Sequence, residues 1–166
     1  MPRTVTMKGQ TLELTGPELK IGVKAPAFSL LDQDMNVVTL ADFPRKIKVL
    51  SVTPSLDTPV CDLQIRRFNQ EATKHLEAVV LNISMDLPFA IKRFCSANGL
   101  DRVKALSDHR TADFGNDYGV LISGLRLLAR AVIVIDSGDV VRFVQIVPEL
   151  TEQPDYTGAL ECLANM

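Results

Sequence analysis

Apolar runs alternate with amphipathic segments along most of the chain. The runs Ile47–Thr53, Ala78–Ser84 and Ala131–Asp136 are typical of buried strands. Between them, apolar residues recur at the spacing of a helix that buries one face. In chain order the pattern predicts a hairpin over Thr4–Thr15 turning at Gly9, short strands over Ala27–Leu30 and Val37–Leu40, the strand Ile47–Thr53, a helix over Asp62–Lys74, the strand Ala78–Ser84, a helix over Leu87–Ala97, a strand over Val103–Leu106, a short helix over Thr111–Tyr118, strands over Ala131–Asp136 and Val140–Val147, and a helix over Pro154–Asn165.

Buried strands separated by helices predict an α/β fold, with a central sheet flanked by helices. The strands on either side of Ser137-Gly138-Asp139 predict an antiparallel hairpin, so the sheet should be mixed. This order suits a thioredoxin-like fold with an N-terminal β-hairpin extension. A flavodoxin-like sheet is the alternative, but it needs another helical crossover where that hairpin lies. With 166 residues and no internal repeat or linker, we expect one domain over residues 1–166.

Composition and charge argue against several classes of protein. The apolar content of 46% is enough for one core. The net charge of −2 and the lack of a basic run argue against nucleic-acid binding. No apolar run approaches the ~20 residues of a membrane span, and the first ten residues lack the apolar core of a signal peptide. We therefore expect a soluble, cytoplasmic protein that binds neither nucleic acid nor membrane.

Three cysteines, Cys61, Cys95 and Cys162, are the candidate reactive groups. This odd, low number does not resemble the disulfide framework of a secreted protein. The two histidines, His75 and His109, are not spaced to form a metal site with them, and nothing indicates a flavin, haem or other cofactor. In a reducing compartment, a functional cysteine pair is more often redox-active than structural. Cys162 has no activating neighbours and is expected to be packed or exposed.

Cys61 lies where a predicted strand gives way to a predicted helix. Thr58 is a good N-cap and Pro59 suits the first helical position, which places Cys61 third in the helix. Free N–H groups and the helix dipole at such a position favour the charged thiolate, which is the reactive form of cysteine. The alternative is a small buried apolar residue, the usual fate of a free cysteine. Pro54 and Thr58 at fixed spacings before Cys61 favour the reactive interpretation.

Ionisation alone does not make Cys61 an efficient catalyst. An ordinary cysteine is roughly 3% thiolate at pH 7, so full ionisation gains only about thirtyfold, or ~2 kcal/mol. With a peroxide substrate, further donors should surround the two oxygens while charge develops on one of them. The Thr58 hydroxyl and the Cys61 N–H are local candidates. Arg130, at the entrance to an apolar strand, could add a guanidinium, or it could simply extend its charge to solvent.

Several segments carry a family resemblance. The spacing Pro54-x-x-x-Thr58-x-x-Cys61 matches the active-site motif of the peroxiredoxins. Longer segments resemble one branch of them, the bacterial thiol peroxidases or atypical two-cysteine peroxiredoxins: Pro-Ser-Leu-Asp-Thr-Pro-Val-Cys-Asp-Leu-Gln, Met-Asp-Leu-Pro-Phe-Ala, Arg-Phe-Cys and Leu-Leu-Ala-Arg-Ala-Val-Ile-Val-Ile-Asp. The resemblance covers nearly the whole chain.

The resemblance implies a thioredoxin-dependent peroxidase for hydrogen peroxide and organic hydroperoxides, with a role in antioxidant defence. Cys61 would be oxidised to a sulfenic acid, while Thr58 would bind the sulfur and the peroxide. Pro54 would shield the sulfur from water, and Arg130 would stabilise the thiolate and bind the peroxide. Cys95 would resolve the sulfenic acid as an intramolecular disulfide, which thioredoxin reduces. Members of this family commonly form homodimers.

The residues themselves leave the role of Cys95 open. It lies among apolar positions of its helix, so it could be a core residue. The 33 intervening residues do not decide whether it reaches Cys61, since a disulfide needs Cα atoms within about 7 Å; local unwinding on oxidation would allow it. A redox-sensing thioredoxin-like protein without efficient turnover is the alternative function. A disulfide carrier is disfavoured, because Gln64 stands where Cys-x-x-Cys needs its second cysteine.

Overall fold

The computed structural model describes residues 2–72, 74–75, 77–100 and 102–166, with only the backbone of Ala72. The elements lie in the chain order β1 (Thr4–Met7), β2 (Gln10–Thr15), β3 (Ser29–Leu31), β4 (Val37–Thr39), a 3₁₀ turn (Leu40–Asp42), β5 (Ile47–Val52), α1 (Pro59–Ala72), β6 (Ala78–Ser84), α2 (Pro88–Asn98), β7 (Val103–Ser107), α3 (Asp113–Asp117), β8 (Leu121–Ile122), β9 (Leu127–Leu128), β10 (Ala131–Ile135), β11 (Val141–Ile146) and α4 (Tyr156–Ala164).

A mixed seven-stranded sheet forms the centre, in the order β11-β10-β5-β6-β7-β3-β4. Strands β5, β6 and β7 run parallel, and β10 pairs antiparallel with both β5 and β11. The mixed sheet is as predicted, and the β10–β11 hairpin occupies the place where a flavodoxin-like sheet needs a crossover. Because the connections after β5 and β6 lead into α1 and α2, both helices begin at the same edge of the sheet.

Both faces of the sheet are covered. One apolar cluster joins alternate strand residues such as Val49 and Val132 to α1, α2 and α4. The other joins their neighbours, such as Leu50 and Ile133, to α3 and the N-terminal segments. Adjacent strand residues thus point to opposite layers, as the period of two requires. The uninterrupted apolar runs in β5, β6 and β10 follow from this double burial.

The structure adds one element pair that the pattern missed. Strands β8 and β9 form a short hairpin that pairs with β2, so the predicted N-terminal hairpin belongs to a second, four-stranded sheet. Strands of two residues are too short to show periodicity, which is why they were not predicted. Helix bounds also differ from the apolar pattern: the pattern starts α1 at Asp62, whereas the helix begins at Pro59, as the Thr58 and Pro59 signals predict, and α4 begins at Tyr156 rather than Pro154. These differences lie in end turns, where the apolar period carries little information.

The N-terminal hairpin is fastened to the segment after β11. The Thr6 N–H donates to the Pro148 carbonyl at 2.7 Å, and the Thr6 carbonyl accepts the N–H of Leu150 at 2.8 Å. The Glu149 carboxylate accepts from the Thr151 side chain and backbone at 2.7 and 2.9 Å, and from Gly9 N–H and the Thr6 hydroxyl at 3.0 Å each. These hydrogen bonds, those from Thr151 foremost, lower the pKa of Glu149 from 4.5 to about 2.

This lowered pKa predicts a pH dependence of stability. Because folding depresses the pKa of Glu149, its contribution is fully present above about pH 4.5 and is lost as the pH falls towards 2. We expect Glu149→Gln to lower the urea midpoint of unfolding near neutral pH, with the difference from wild type shrinking between pH 4.5 and 2. Glu152→Gln is the matched control, since that side chain is exposed and has no hydrogen-bond partner among the described residues. A difference for Glu149→Gln that stays constant over this range would contradict the assignment.

Candidate active site

The first turn of α1 is built by local hydrogen bonds. The Thr58 hydroxyl accepts the N–H of Cys61 at 3.4 Å, and the Thr58 carbonyl accepts the N–H of Asp62 at 2.9 Å. Pro59 is the first helical residue and Cys61 the third, as predicted. Pro at this position costs nothing, since its missing N–H would have no helical partner there. The sequence thus places the Cys61 side chain in the first turn, where the helix dipole is positive.

Arg130 reaches Cys61 from the short connection between β9 and β10. Its guanidinium Nη2 lies 3.2 Å from Cys61 Sγ. The same group donates from Nε and Nη2 to Leu150 O at 3.0 and 2.9 Å, and from Nη1 to Gln64 Oε1 at 2.9 Å. Arg130 is only 2% exposed and Cys61 is fully buried. Arg130 therefore points inward to the sulfur rather than extending to solvent.

A buried polar chain continues beyond Arg130 into the sheet. Gln64 donates to the Ser51 hydroxyl at 2.8 Å, and Asn82 donates to the same hydroxyl at 3.3 Å. Sequence reasoning used Gln64 only to disfavour a disulfide carrier and missed its contact with Arg130. A signal was present, because Ser51 and Asn82 are polar interruptions at the same position of two apolar runs. The strand register pairs these two residues directly.

Thr58 and Pro54 lie beside this centre. The Thr58 hydroxyl donates to Ser55 O at 3.2 Å, so in this structure its proton is directed to the backbone rather than to sulfur. Pro54 is buried in the segment that leads into α1. Their roles in binding peroxide and shielding the sulfur stay predictions.

Tyr156, at the start of α4, is a further neighbour that the sequence did not indicate. Burial raises its pKa to about 12, against the opposing charges of Arg130 and Arg67. The Arg67 guanidinium lies over the Tyr156 ring, 5.3 Å from its centroid. The ring also packs against Phe68, with 5.4 Å between ring centroids. Tyr156 therefore joins α4 to α1.

Cys95 lies apart from this centre on α2. It is half-buried, packs against the apolar cluster beneath α1 and α2, and lines a surface cavity of about 570 Å³ with residues of β6 and β7. Burial raises the pKa of the Cys95 thiol, and it also raises the pKa of the Cys162 thiol. All three cysteines are free thiols in the structure, so the disulfide between Cys61 and Cys95 stays a prediction.

The described residues show neither a membrane span nor a cluster of metal ligands. None of the described helices is both long and apolar enough to span a bilayer. Within the same part of the chain, no three His, Cys, Asp or Glu side chains cluster as metal ligands would.

Gln64 provides a test of how the Arg130 guanidinium is positioned. Gln64→Ala removes one of its acceptors and leaves the Ser51 hydroxyl without that donor, so we expect a free energy of unfolding lower by about 1–3 kcal/mol. We also expect the second-order rate constant for oxidation of Cys61 by hydrogen peroxide to fall on the order of tenfold, since a displaced guanidinium no longer meets the reacting oxygens. Stopped-flow competition with a reference peroxidase measures this rate.

Asn69→Ala is the matched control on the same helix. The Asn69 side-chain oxygen accepts the exposed N–H of Arg102 at 3.0 Å, and no hydrogen bond among the described residues joins Asn69 to Arg130 or Cys61. Its variant should oxidise at the wild-type rate. A Gln64→Ala variant that also keeps the wild-type rate would show that Gln64 does not position Arg130.

Comparison with known proteins assigns the family. The model of the Redoxin family matches residues 20–160. A thiol peroxidase of Oceanobacillus iheyensis is 52% identical over 96% of this chain and 97% of that protein, and one of Staphylococcus aureus strain MRSA252 is 51% identical over 98% of both. A crystal structure of a peroxiredoxin-like protein from Aquifex aeolicus superposes with a TM-score of 0.93 at 40% identity, covering 99% of this chain and 98% of that one.

These matches confirm the predicted thioredoxin-like fold and the resemblance on which the expected activity rested. The site built around Cys61 is of the kind that a thiol-dependent peroxidase needs, and the identities extend over nearly the full length of both curated relatives. The chain belongs to the Redoxin family and, within it, to the thiol peroxidases, which are peroxidases of the peroxiredoxin type.

Proposed function

We propose that Cys61 is the peroxidatic residue of this thiol peroxidase and that it reduces hydrogen peroxide and organic hydroperoxides. The observation that supports this most directly is the contact of 3.2 Å between Arg130 Nη2 and Cys61 Sγ. A buried guanidinium beside a sulfur favours the thiolate, because the two charges compensate each other where water cannot. The positive end of the helix dipole, in the first turn of α1, also favours the thiolate.

The reaction proceeds by displacement at oxygen. The Cys61 thiolate attacks one oxygen of the hydroperoxide while the O–O bond breaks, and the leaving alkoxide or hydroxide takes up a proton. The products are a Cys61 sulfenic acid and an alcohol or water. Negative charge moves from sulfur to the leaving oxygen, and a guanidinium with several fixed donors can stabilise the charge on both atoms. Thr58 adds a hydroxyl next to the sulfur, and Pro54 limits the access of water.

Cys95 then resolves the sulfenic acid. Its sulfur attacks Cys61 sulfur, water leaves, and an intramolecular disulfide forms. The raised pKa of Cys95 keeps it a neutral thiol that reacts slowly with peroxide, so the first oxidation falls on Cys61. Because Cys61 is fully buried in the first turn of α1 and Cys95 lies on α2, packed against the apolar cluster beneath both helices, the bridge requires the first turn of α1 and part of α2 to unwind.

A dithiol reductant completes the cycle by reducing this disulfide. Thioredoxin is the reductant that we propose, since members of this family use it. We further propose that the chain forms one domain over residues 1–166, that it works as a homodimer, and that it acts in the cytoplasm as part of antioxidant defence. Turnover needs no metal or organic cofactor in this scheme.

Intact-mass analysis after one equivalent of hydrogen peroxide tests these roles. The wild-type protein should lose two hydrogens, and non-reducing peptide mapping should recover a Cys61–Cys95 peptide. Cys95→Ser should instead gain one oxygen at Cys61, and Cys61→Ser should not react at low peroxide. Cys162→Ser is the matched control and should behave as wild type, because Cys162 has no contact with the Arg130 centre among the described residues.

Turnover separates a peroxidase from a redox sensor. With thioredoxin, its reductase and NADPH, the wild-type protein should consume NADPH in proportion to added peroxide, and Cys95→Ser should not. Reversible oxidation without sustained NADPH consumption would contradict the thioredoxin-dependent cycle. An oxygen on Cys61 without the bridge in the wild-type protein would remove Cys95 from its role.

A further inference from the structure

Asp86 connects the segment before Cys61 to the helix that carries Cys95. It lies between β6 and α2, two residues before α2 begins at Pro88. Its carboxylate accepts the Ser55 hydroxyl at 2.7 Å and the Leu56 N–H at 2.8 Å. The same carboxylate also accepts the Ser84 hydroxyl at 3.0 Å, and the Asp86 backbone carbonyl accepts the Ser107 hydroxyl. The Asp86 side chain thus connects the two segments that have to move when the Cys61–Cys95 disulfide forms.

Hydrogen bonds continue from this bridge to Cys61. The Ser55 carbonyl accepts the Thr58 hydroxyl at 3.2 Å, and that hydroxyl accepts the Cys61 N–H at 3.4 Å. The carboxylate of Asp86 is therefore linked through Ser55 and Thr58 to the first turn of α1. Unwinding that turn breaks the last of these bonds, and moving it towards α2 disturbs the others.

Apolar packing and a further hydrogen bond also hold this region together. Leu56 is buried in the apolar cluster that includes Ile91 of α2, and Arg66 of α1 donates to Asn98 at the end of α2. A cavity of about 480 Å³ nevertheless lies between residues 55–57 and the α2 side chains Ala90, Arg93, Phe94, Ala97 and Asn98. Dispersion is lost where a cavity replaces apolar contact, and a carboxylate accepts stronger hydrogen bonds than a neutral group does. The bonds of Asp86 therefore contribute directly to the attachment.

We propose that Asp86 acts as a positioning residue which sets how readily the oxidised Cys61 segment leaves its folded form, and hence how the sulfenic acid is partitioned. This inference rests on the proposed function of Cys61 and Cys95. The bonds from Asp86 to Ser55 and Leu56, named here the Asp86 latch, keep the first turn of α1 intact for reaction with peroxide. After oxidation the same bonds delay the meeting of Cys61 with Cys95.

Two reactions compete for the sulfenic acid: overoxidation, which can occur while the latch is closed, and resolution, which needs the latch to open. In resolution, Cys95 sulfur displaces water from Cys61 and a disulfide forms. In overoxidation, the Cys61 sulfenate attacks a second hydroperoxide, its O–O bond breaks, and a sulfinate and an alcohol or water result. A tighter latch favours overoxidation at high peroxide, and a weaker latch favours the disulfide.

Rapid quench followed by intact-mass analysis measures both reactions. Reduced protein is mixed with one equivalent of hydrogen peroxide to time the disulfide, and with a large excess to measure the sulfinate fraction. Asp86→Ala removes every bond of the carboxylate, and we expect the disulfide to form on the order of ten times faster, with less sulfinate. Ser55→Ala removes one bond of the carboxylate, together with the 3.1 Å bond from the Asp57 N–H to the Ser55 hydroxyl, and should give an increase of about threefold. It carries the test if Asp86→Ala does not fold.

Asp86→Asn is the conservative variant and should fall between wild type and Asp86→Ala, since its amide oxygen still accepts the Leu56 N–H but the charge and the second acceptor oxygen are lost. Two controls separate the latch from charge and from general loosening. Asp57→Asn removes a charge from the same segment, where the carboxylate has no hydrogen-bond partner among the described residues. Asp34→Ala removes the 2.8 Å contact with Lys92 that ties α2 to the β3–β4 turn. Both should resolve at the wild-type rate.

The outcomes are distinguishable. Faster disulfide formation in Asp86→Ala and Ser55→Ala, but not in the controls, supports the latch. Equal rates in all variants overturn it and leave the peroxidase cycle intact, as does acceleration in the controls as well. If wild-type Cys61 forms no sulfenic acid at all, the proposed function and the latch both fail.

Discussion

The buried guanidinium of Arg130 is the constraint on which the rest of the site depends. A full positive charge that is only 2% exposed is costly unless acceptors surround it. Three acceptors do so: the Leu150 carbonyl, the Gln64 amide oxygen and the Cys61 sulfur. They come from the segment after β11 and from α1, while Arg130 itself precedes β10. Folding therefore has to assemble these segments around one charge, and the sulfur meets the guanidinium as a consequence.

This requirement gives the N-terminal hairpin a place in the site. Leu150 presents its carbonyl to Arg130 while its own N–H is held by the Thr6 carbonyl of β1. Glu149 fixes the adjacent backbone through four hydrogen bonds. The hairpin thus steadies an acceptor of the guanidinium, although it lies outside the central sheet. On the opposite side, Gln64 connects the guanidinium to Ser51 of β5, so the charge is fixed from the sheet as well.

Local parts of this arrangement could be predicted from the sequence, and the non-local parts could not. Thr58, Pro59 and Cys61 form a helix start whose signals lie within four residues, and the structure has that start. The residues alone left Arg130 with two options, a guanidinium donor at the site or a strand-end charge that extends to solvent, and the family resemblance favoured the first. Leu150 acts through its backbone carbonyl, a group that every residue type has, so the sequence could not indicate this contact. Strands β8 and β9 were missed because two residues show no period. The proposed pairing of Cys61 with Cys95 concerns an oxidised conformation, whereas both cysteines are free thiols in this structure.

The most direct test compares two reactions of Cys61 in wild type and in Arg130→Lys. One is oxidation by hydrogen peroxide, and the other is alkylation by iodoacetamide, which needs the thiolate but carries no peroxide oxygens to bind. If the guanidinium both stabilises the thiolate and follows the charge onto the leaving oxygen, the peroxide rate constant should fall on the order of a hundredfold, with a much smaller fall in alkylation. Equal losses in the two reactions would confine Arg130 to stabilising the thiolate. A peroxide rate constant equal to that of wild type would contradict the central role of Arg130.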